Sequence, residues 1–190
     1  ADAVPGNIQC TVTMTAGTDE YPYQEQETIN LDLTLSQFGF PLDGIVVKSS
    51  PIVADLDSDG MKEIYFGSDN EALHGYNSFG EEIDGFPFQS TDRVRSSPAV
   101  GDVDNDGQME IIFGNSSGKL YIVNHDGVQQ LAYNILGFIE GSPALVDIDG
   151  DQDLEIFFTT TTTSGGQLYA IHHNGITMSG FPKELGSMWT

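Results

Sequence analysis

Three short stretches of this sequence concentrate carboxylates at a spacing that could hold a metal ion. They read Asp55-x-Asp57-x-Asp59-Gly60-x-x-Glu63, Asp102-x-Asp104-x-Asp106-Gly107-x-x-Glu110 and Asp147-x-Asp149-x-Asp151-x-Asp153-x-Glu155. Carboxylates packed this densely repel one another, and in a turn the side chains at the first, third and fifth positions converge on one point. A hard divalent cation relieves the conflict. Calcium takes about six to eight oxygen ligands in flexible geometry, which three aspartates, a seventh-position carbonyl, the ninth-position carboxylate and water supply. Magnesium prefers to keep several waters, and zinc favours His or Cys, which the loops themselves lack. The expectation is calcium, up to three ions.

The same opening begins an EF-hand, which needs a glutamate at position 12 and flanking amphipathic helices. Position 12 here is Phe66, Phe113 and Phe158, each inside a β-rich run, so the EF-hand is excluded three times. Gly60 and Gly107 stand at position 6, where a sharp turn calls for positive φ. The third loop departs by placing Gln152 there and adding Asp153 at position 7.

The elements around the loops repeat with them. Pro51, Pro98 and Pro143 of successive Ser-Pro pairs are 47 and 45 residues apart, and Asp55, Asp102 and Asp147 keep the same intervals. Each loop leads into a β-rich run (Glu63 to Phe66, Glu110 to Phe113, Glu155 to Phe158). A second run follows at Leu73 to Tyr76, Leu120 to Val123 and Leu168 to Ile171, each ending in a polar turn closed by glycine. A Gly-Phe element closes each unit, at Gly85-Phe86-Pro87, Gly137-Phe138 and Gly180-Phe181-Pro182. A unit of about 45 residues with four short strands is the arithmetic of a β-propeller blade. A sandwich or solenoid is the alternative, but neither accounts for an acidic turn at one phase of every unit.

The fold expected is therefore all-β, with three blades over 38–88, 89–140 and 141–190. The next Ser-Pro would fall near position 192, so a fourth blade is expected to begin beyond Thr190, and the open faces need neighbouring blades from a longer parent chain or an oligomer partner. Residues 1–37 carry no repeat. "IQCTVTMTAG" and "ETINLDLTLS" alternate like two strands of an antiparallel sheet joined by "TDEYPYQEQ". That segment reads as the end of an immunoglobulin-like sandwich, or else Thr28 to Leu35 gives the propeller an outer strand.

Composition narrows the function. A formal charge of −23, with only 6 Lys plus Arg, excludes nucleic acid as a partner and disfavours anionic membranes. Part of that acidity is simply a solvated surface. Cys10 is the lone cysteine, so there is no internal disulfide. No stretch of about 18 apolar residues could span a membrane, and any export signal would lie outside this segment.

Other candidates carry less. His172 and His173 align with Asn77-Ser78 and Asn124-His125 in inter-strand turns, a turn role before a catalytic one, and His74 reads as a partly buried strand residue. The run Thr159 to Thr163 with Ser164-Gly165-Gly166 lengthens one hairpin by three residues, as a tolerated insertion or a ligand contact. Phe86, Phe181 and Trp189 could stack on a sugar but read first as packing. No nucleophile elbow, metalloprotease helix or phosphate-binding loop is present, so no catalytic residue is assigned.

The succession Ser-Ser-Pro, Asp-x-Asp-x-Asp-Gly, Glu-Ile-x-Phe-Gly, Leu-Tyr and Gly-Phe-Pro over residues 38 to 190 resembles the FG-GAP or VCBS-type repeats of integrin α-subunit propellers and of secreted bacterial proteins. The ligands this resemblance implies are Asp55, Asp57, Asp59, the carbonyl of Met61 and Glu63; Asp102, Asp104, Asp106, the carbonyl of Gln108 and Glu110; and Asp147, Asp149, Asp151, the carbonyl of Asp153 and Glu155. No Gly-Ala-Pro follows Phe-Gly, the third unit has Phe158-Thr159, and the ninth position is Glu rather than the usual Asp of integrins, so the bacterial branch fits better. The resemblance implies a non-catalytic, secreted, extracellular or cell-surface calcium-binding module for adhesion or for binding a glycan, protein ligand or substrate. A fragment or accessory domain of a secreted enzyme, such as a calcium-dependent polysaccharide lyase or a peptidase, is the alternative, and a structural spacer a third.

Overall fold

A computed structural model of the chain describes residues 6–18, 21–33, 39–40 and 42–186. The chain divides into two compact units, Ala1–Pro41 and Leu42–Thr190. Trp189 lies outside the described residues, of which none forms a helix.

In the first unit β1 (Gly6–Thr18) and β2 (Tyr21–Leu33) form a two-stranded antiparallel sheet, in register from Gly6↔Leu33 to Thr18↔Tyr21. Two sequence expectations change here. Tyr21 to Gln26, expected in the connection, is strand, as β-favouring Tyr21 and Tyr23 on an edge permit. Thr28–Leu33 is the partner of β1 rather than an outer strand of a repeat sheet.

The second unit contains three four-stranded antiparallel sheets, each a simple meander. The first is β3 (Ile52–Ala54), β4 (Glu63–Gly67), β5 (Ala72–Tyr76) and β6 (Phe88–Gln89); β6 straddles the 88/89 boundary expected between units. The second is β7 (Ala99–Gly101), β8 (Glu110–Gly114), β9 (Lys119–Asn124) and β10 (Gln129–Asn134). The third is β11 (Ala144–Val146), β12 (Glu155–Thr162), β13 (Gly165–Ile171) and β14 (Lys183–Gly186). The lengthened hairpin is paired strand up to its turn at Thr163 and Ser164, with Thr159 to Thr162 opposite Leu168 to Gly165.

The core explains why the strands read as continuous apolar runs. Ile111, Phe113, Tyr121 and Val123 of the second sheet pack with Leu56, Tyr65, Leu73 and Phe86 of the first. The alternate residues Ile112, Leu120 and Ile122 pack with Ile156, Phe158 and Ile171 of the third. A sheet covered on both faces has no polar face to alternate with, and every residue of β8 is buried. On the third sheet the pattern opens: Ile148 is 59% exposed, whereas its counterparts Leu56 and Val103 are 2% and 1%. Phe86 packs on Tyr65 and Phe181 on Phe157, so both aromatics serve the packing.

The Gly-Phe alignment holds for only two repeats. In the first and third, Gly85-Phe86-Pro87 and Gly180-Phe181-Pro182 lead into β6 and β14, after single bridges Tyr76↔Glu82 and Ile171↔Thr177. In the second, the chain runs from the turn after β9 straight into β10, so the outer strand precedes Gly137-Phe138. Phe138 then bridges to Thr161 of the third sheet, while Ile139 N–H donates to Asn115 O of the second, which makes this pair part of the crossover.

In the first two repeats the serine two residues before the proline is tied to the end of the second strand. Ser49 Oγ accepts from Gly67 N (2.8 Å) and donates to Gly67 O (3.0 Å). Ser96 Oγ does the same with Gly114 N (2.7 Å) and O (3.1 Å). The third repeat exchanges the two positions: Gly141 stands where the serine was and Thr159 where the glycine was, and a Cβ on Gly141 would lie 2.9 Å from Thr159 Oγ1. That exchange accounts for Phe158-Thr159 replacing Phe-Gly.

Candidate metal centre

All three acidic loops share one backbone hydrogen-bond pattern. The first aspartate accepts from the sixth-position N–H: Asp55 from Gly60 (3.1 Å), Asp102 from Gly107 (2.9 Å) and Asp147 from Gln152 (3.2 Å). The fifth-position aspartate accepts from the seventh-position N–H: Asp59 from Met61, Asp106 from Gln108 and Asp151 from Asp153. One oxygen of the ninth-position glutamate accepts from the second-position N–H: Glu63 from Leu56 (3.2 Å), Glu110 from Val103 (3.0 Å) and Glu155 from Ile148 (3.0 Å). These bonds turn each glutamate towards its loop.

The third loop keeps this path despite its different sequence. Positions 4 and 6 have positive φ throughout: Ser58 and Gly60, Asn105 and Gly107, Gly150 and Gln152. The glycine has moved from position 6 to position 4, and Gln152 takes the left-handed conformation at φ +83° in its place.

The first two loops bring together the first, third and ninth positions. Oxygens of Asp55, Asp57 and Glu63 lie within 4.8 Å of one another, as do those of Asp102, Asp104 and Glu110. Asp59 and Asp106 are not in those groups. In the third loop Asp147, Asp149 and Asp151 form one such group, and Asp149, Glu155 and His172 another. His172 does lie in an inter-strand turn, but from there it reaches Glu155, 17 residues earlier, an approach that sequence spacing does not show.

Burial makes the glutamates unusual. Glu63 is 6% exposed and Glu110 and Glu155 are 0%. Burial raises the Glu63 carboxyl above the ordinary range against the Leu56 hydrogen bond, and the charges of Asp57, Asp59 and Asp55 add to the rise. Burial likewise pushes Glu110 up to about 7, reinforced by Asp104, Asp106 and Asp102. Oε1 of Glu110 is buried with no hydrogen-bond partner, as are Oδ1 of Asp104 and Oδ1 of Asp55. A buried carboxylate oxygen without a partner is costly. An all-oxygen set with orphaned acceptors fits a hard cation, and the first two loops pass that test.

The FG-GAP-like repeat matches twice, over residues 55–113 and 102–158. That is more than half of the chain, which belongs to this family. No curated protein matches. Among solved structures the chain is similar to the V. cholerae biofilm matrix protein Bap1, at 18% identity and a TM-score of 0.39, over 67% of this chain and 27% of that one. It is also similar to a chain in the crystal structure of BBS1N in complex with ARL6DN, at 11% identity and a TM-score of 0.37, over 76% of this chain and 55% of that one.

Proposed function

We propose that the three sheets are blades of a β-propeller and that the first two acidic loops are structural calcium sites of a non-catalytic, extracellular binding module. Asp55, Asp57 and Glu63 would hold one ion, and Asp102, Asp104 and Glu110 another, with the carbonyls of Met61 and Gln108 and water completing the shell. The observation that carries this reading is Glu110, fully buried and with one oxygen lacking any partner. Calcium supplies the charge that lets this carboxyl stay ionised between two packed sheets. Each loop joins the first two strands of its sheet, so the free energy of binding becomes free energy of folding.

The extracellular assignment rests on the same chemistry. Extracellular calcium modules work at affinities of about 10⁻⁴ to 10⁻³ M, where the ion is abundant. An acidic module held together there suits display of a surface for a glycan or protein ligand in adhesion or substrate capture. The test is thermal unfolding in excess calcium and in chelator. Two sites filled at a hundred times Kd add about 5 kcal/mol, or roughly 10–20 °C at about 2–4 °C per kcal/mol. Identical melting in both conditions would contradict the calcium reading.

A further inference from the structure

We propose that the third repeat holds a borderline transition-metal ion of the Zn²⁺ class on Asp149, Glu155 and His172. This rests on reading the acidic loops as metal sites, and it assigns the third a different ion from the other two.

The third repeat differs from the other two at one position of the turn after the third strand. Asn77 and Asn124 hold it in the first two, and their side-chain oxygens cap their own turns. Asn77 Oδ1 accepts from Phe79 N and Glu81 N, and Asn124 Oδ1 from Asp126 N and Val128 N. In the third repeat the cap has moved two residues on, to Asn174, whose Oδ1 accepts from Ile176 N. His172 is therefore released from capping, and its Nδ1 lies 3.0 Å from Glu155 Oε1. The corresponding oxygen of Glu110 has no partner at all.

Donor chemistry then decides the ion. Calcium binds through oxygen, whereas imidazole nitrogen suits Zn²⁺ and its neighbours in the first transition row. Ligand atoms of Asp149, Glu155 and His172 all lie within 4.8 Å of one another. Two ligands of a tetrahedral ion with bonds of about 2.0–2.1 Å sit about 3.3 Å apart, close to the separation of His172 Nδ1 from Glu155 Oε1. The second oxygen of Glu155 is fixed by Ile148 N–H at 3.0 Å, the kind of outer hydrogen bond that orients a ligating carboxylate. Asp149 is exposed and the His172 side chain is 27% exposed, so an ion can enter from solvent.

The experiment uses the full chain, stripped with chelator and titrated with Co²⁺ in the presence of millimolar calcium. The expected result is one Co²⁺ per chain with visible d–d absorption, displaced by one equivalent of Zn²⁺. His172→Asn, which installs the residue of the other two repeats, lowers Co²⁺ affinity by at least about tenfold. Asp149→Asn, at an exposed position, does the same without touching the core. No Co²⁺ absorption, absorption abolished by calcium, or absorption unchanged in both variants would overturn the proposal. Calcium uptake by the first two loops is read separately by calorimetry, so failure of that reading and failure of this one are told apart.

Discussion

In the second repeat, Oε1 of Glu110 is buried with nothing to accept from, whereas in the third the same oxygen of Glu155 faces His172 Nδ1 at 3.0 Å. The two loops share a backbone path, the same pair of positive-φ positions and the same anchoring of the glutamate's other oxygen. Loop conformation is thus set by local hydrogen bonds that three different sequences can satisfy. The donors that meet the glutamate are set by what the neighbouring turn turns inward. One substitution in that turn, Asn124 to His172 in repeat terms, separates an all-oxygen cluster of side chains from one that includes an imidazole nitrogen.

Gly114 leaves no room for a side chain, since a Cβ there would lie 2.1 Å from Ile139 Cγ2. Gly114→Thr, which copies Thr159 into the second repeat, should cost about 3 kcal/mol. Chemical denaturation of the calcium-loaded protein measures it, and a loss below about 1 kcal/mol would mean that the crossover relaxes freely.

A smaller effect is the response of Glu110 to pH. In metal-free protein the Glu110 carboxyl titrates near 7, against 4.5 as its ordinary value. The folded state therefore holds a proton that the unfolded state releases, and stability falls as pH rises from about 4.5 to about 7. The loss is at most about 3 kcal/mol, given about 1.36 kcal/mol for each unit of displacement. Calcium affinity should change in the opposite sense, rising through the same window as the carboxyl ionises. Melting in chelator across this range should show the fall in wild type and a flatter profile in Glu110→Gln.

The smallest effect belongs to the displaced glycine. Gln152→Gly relieves a left-handed glutamine and should stabilise the third loop by about 0.5–1 kcal/mol. Gly107→Gln should destabilise the second loop by at least that much. Urea midpoints of both variants decide it.

Much of this was legible in the sequence, because the repeat forces each element to appear three times. The Asp-x-Asp-x-Asp pattern located all three loops, and the apolar runs after each glutamate became β4, β8 and β12. What escaped depended on chain path rather than spacing. Gly137-Phe138 matched a motif by type, but the second repeat closes its outer strand directly after Gly127, and the pair falls in the crossover. Ser49 and Ser96 were visible as motif residues, but their bonds to Gly67 and Gly114 run across 18 positions. The approach of His172 to Glu155 was hidden for the same reason. The histidine's partner is set by tertiary approach, and only the shift of the capping asparagine to position 174 betrayed it.

If buried Glu63 and Glu110 hold calcium, calorimetric titration of calcium into the chelator-stripped full chain will register it. Two ions should bind to the wild type at the first two loops, with one of them lost in Glu63→Gln and the other in Glu110→Gln. Absence of calcium binding, or binding unchanged by both substitutions, would contradict it.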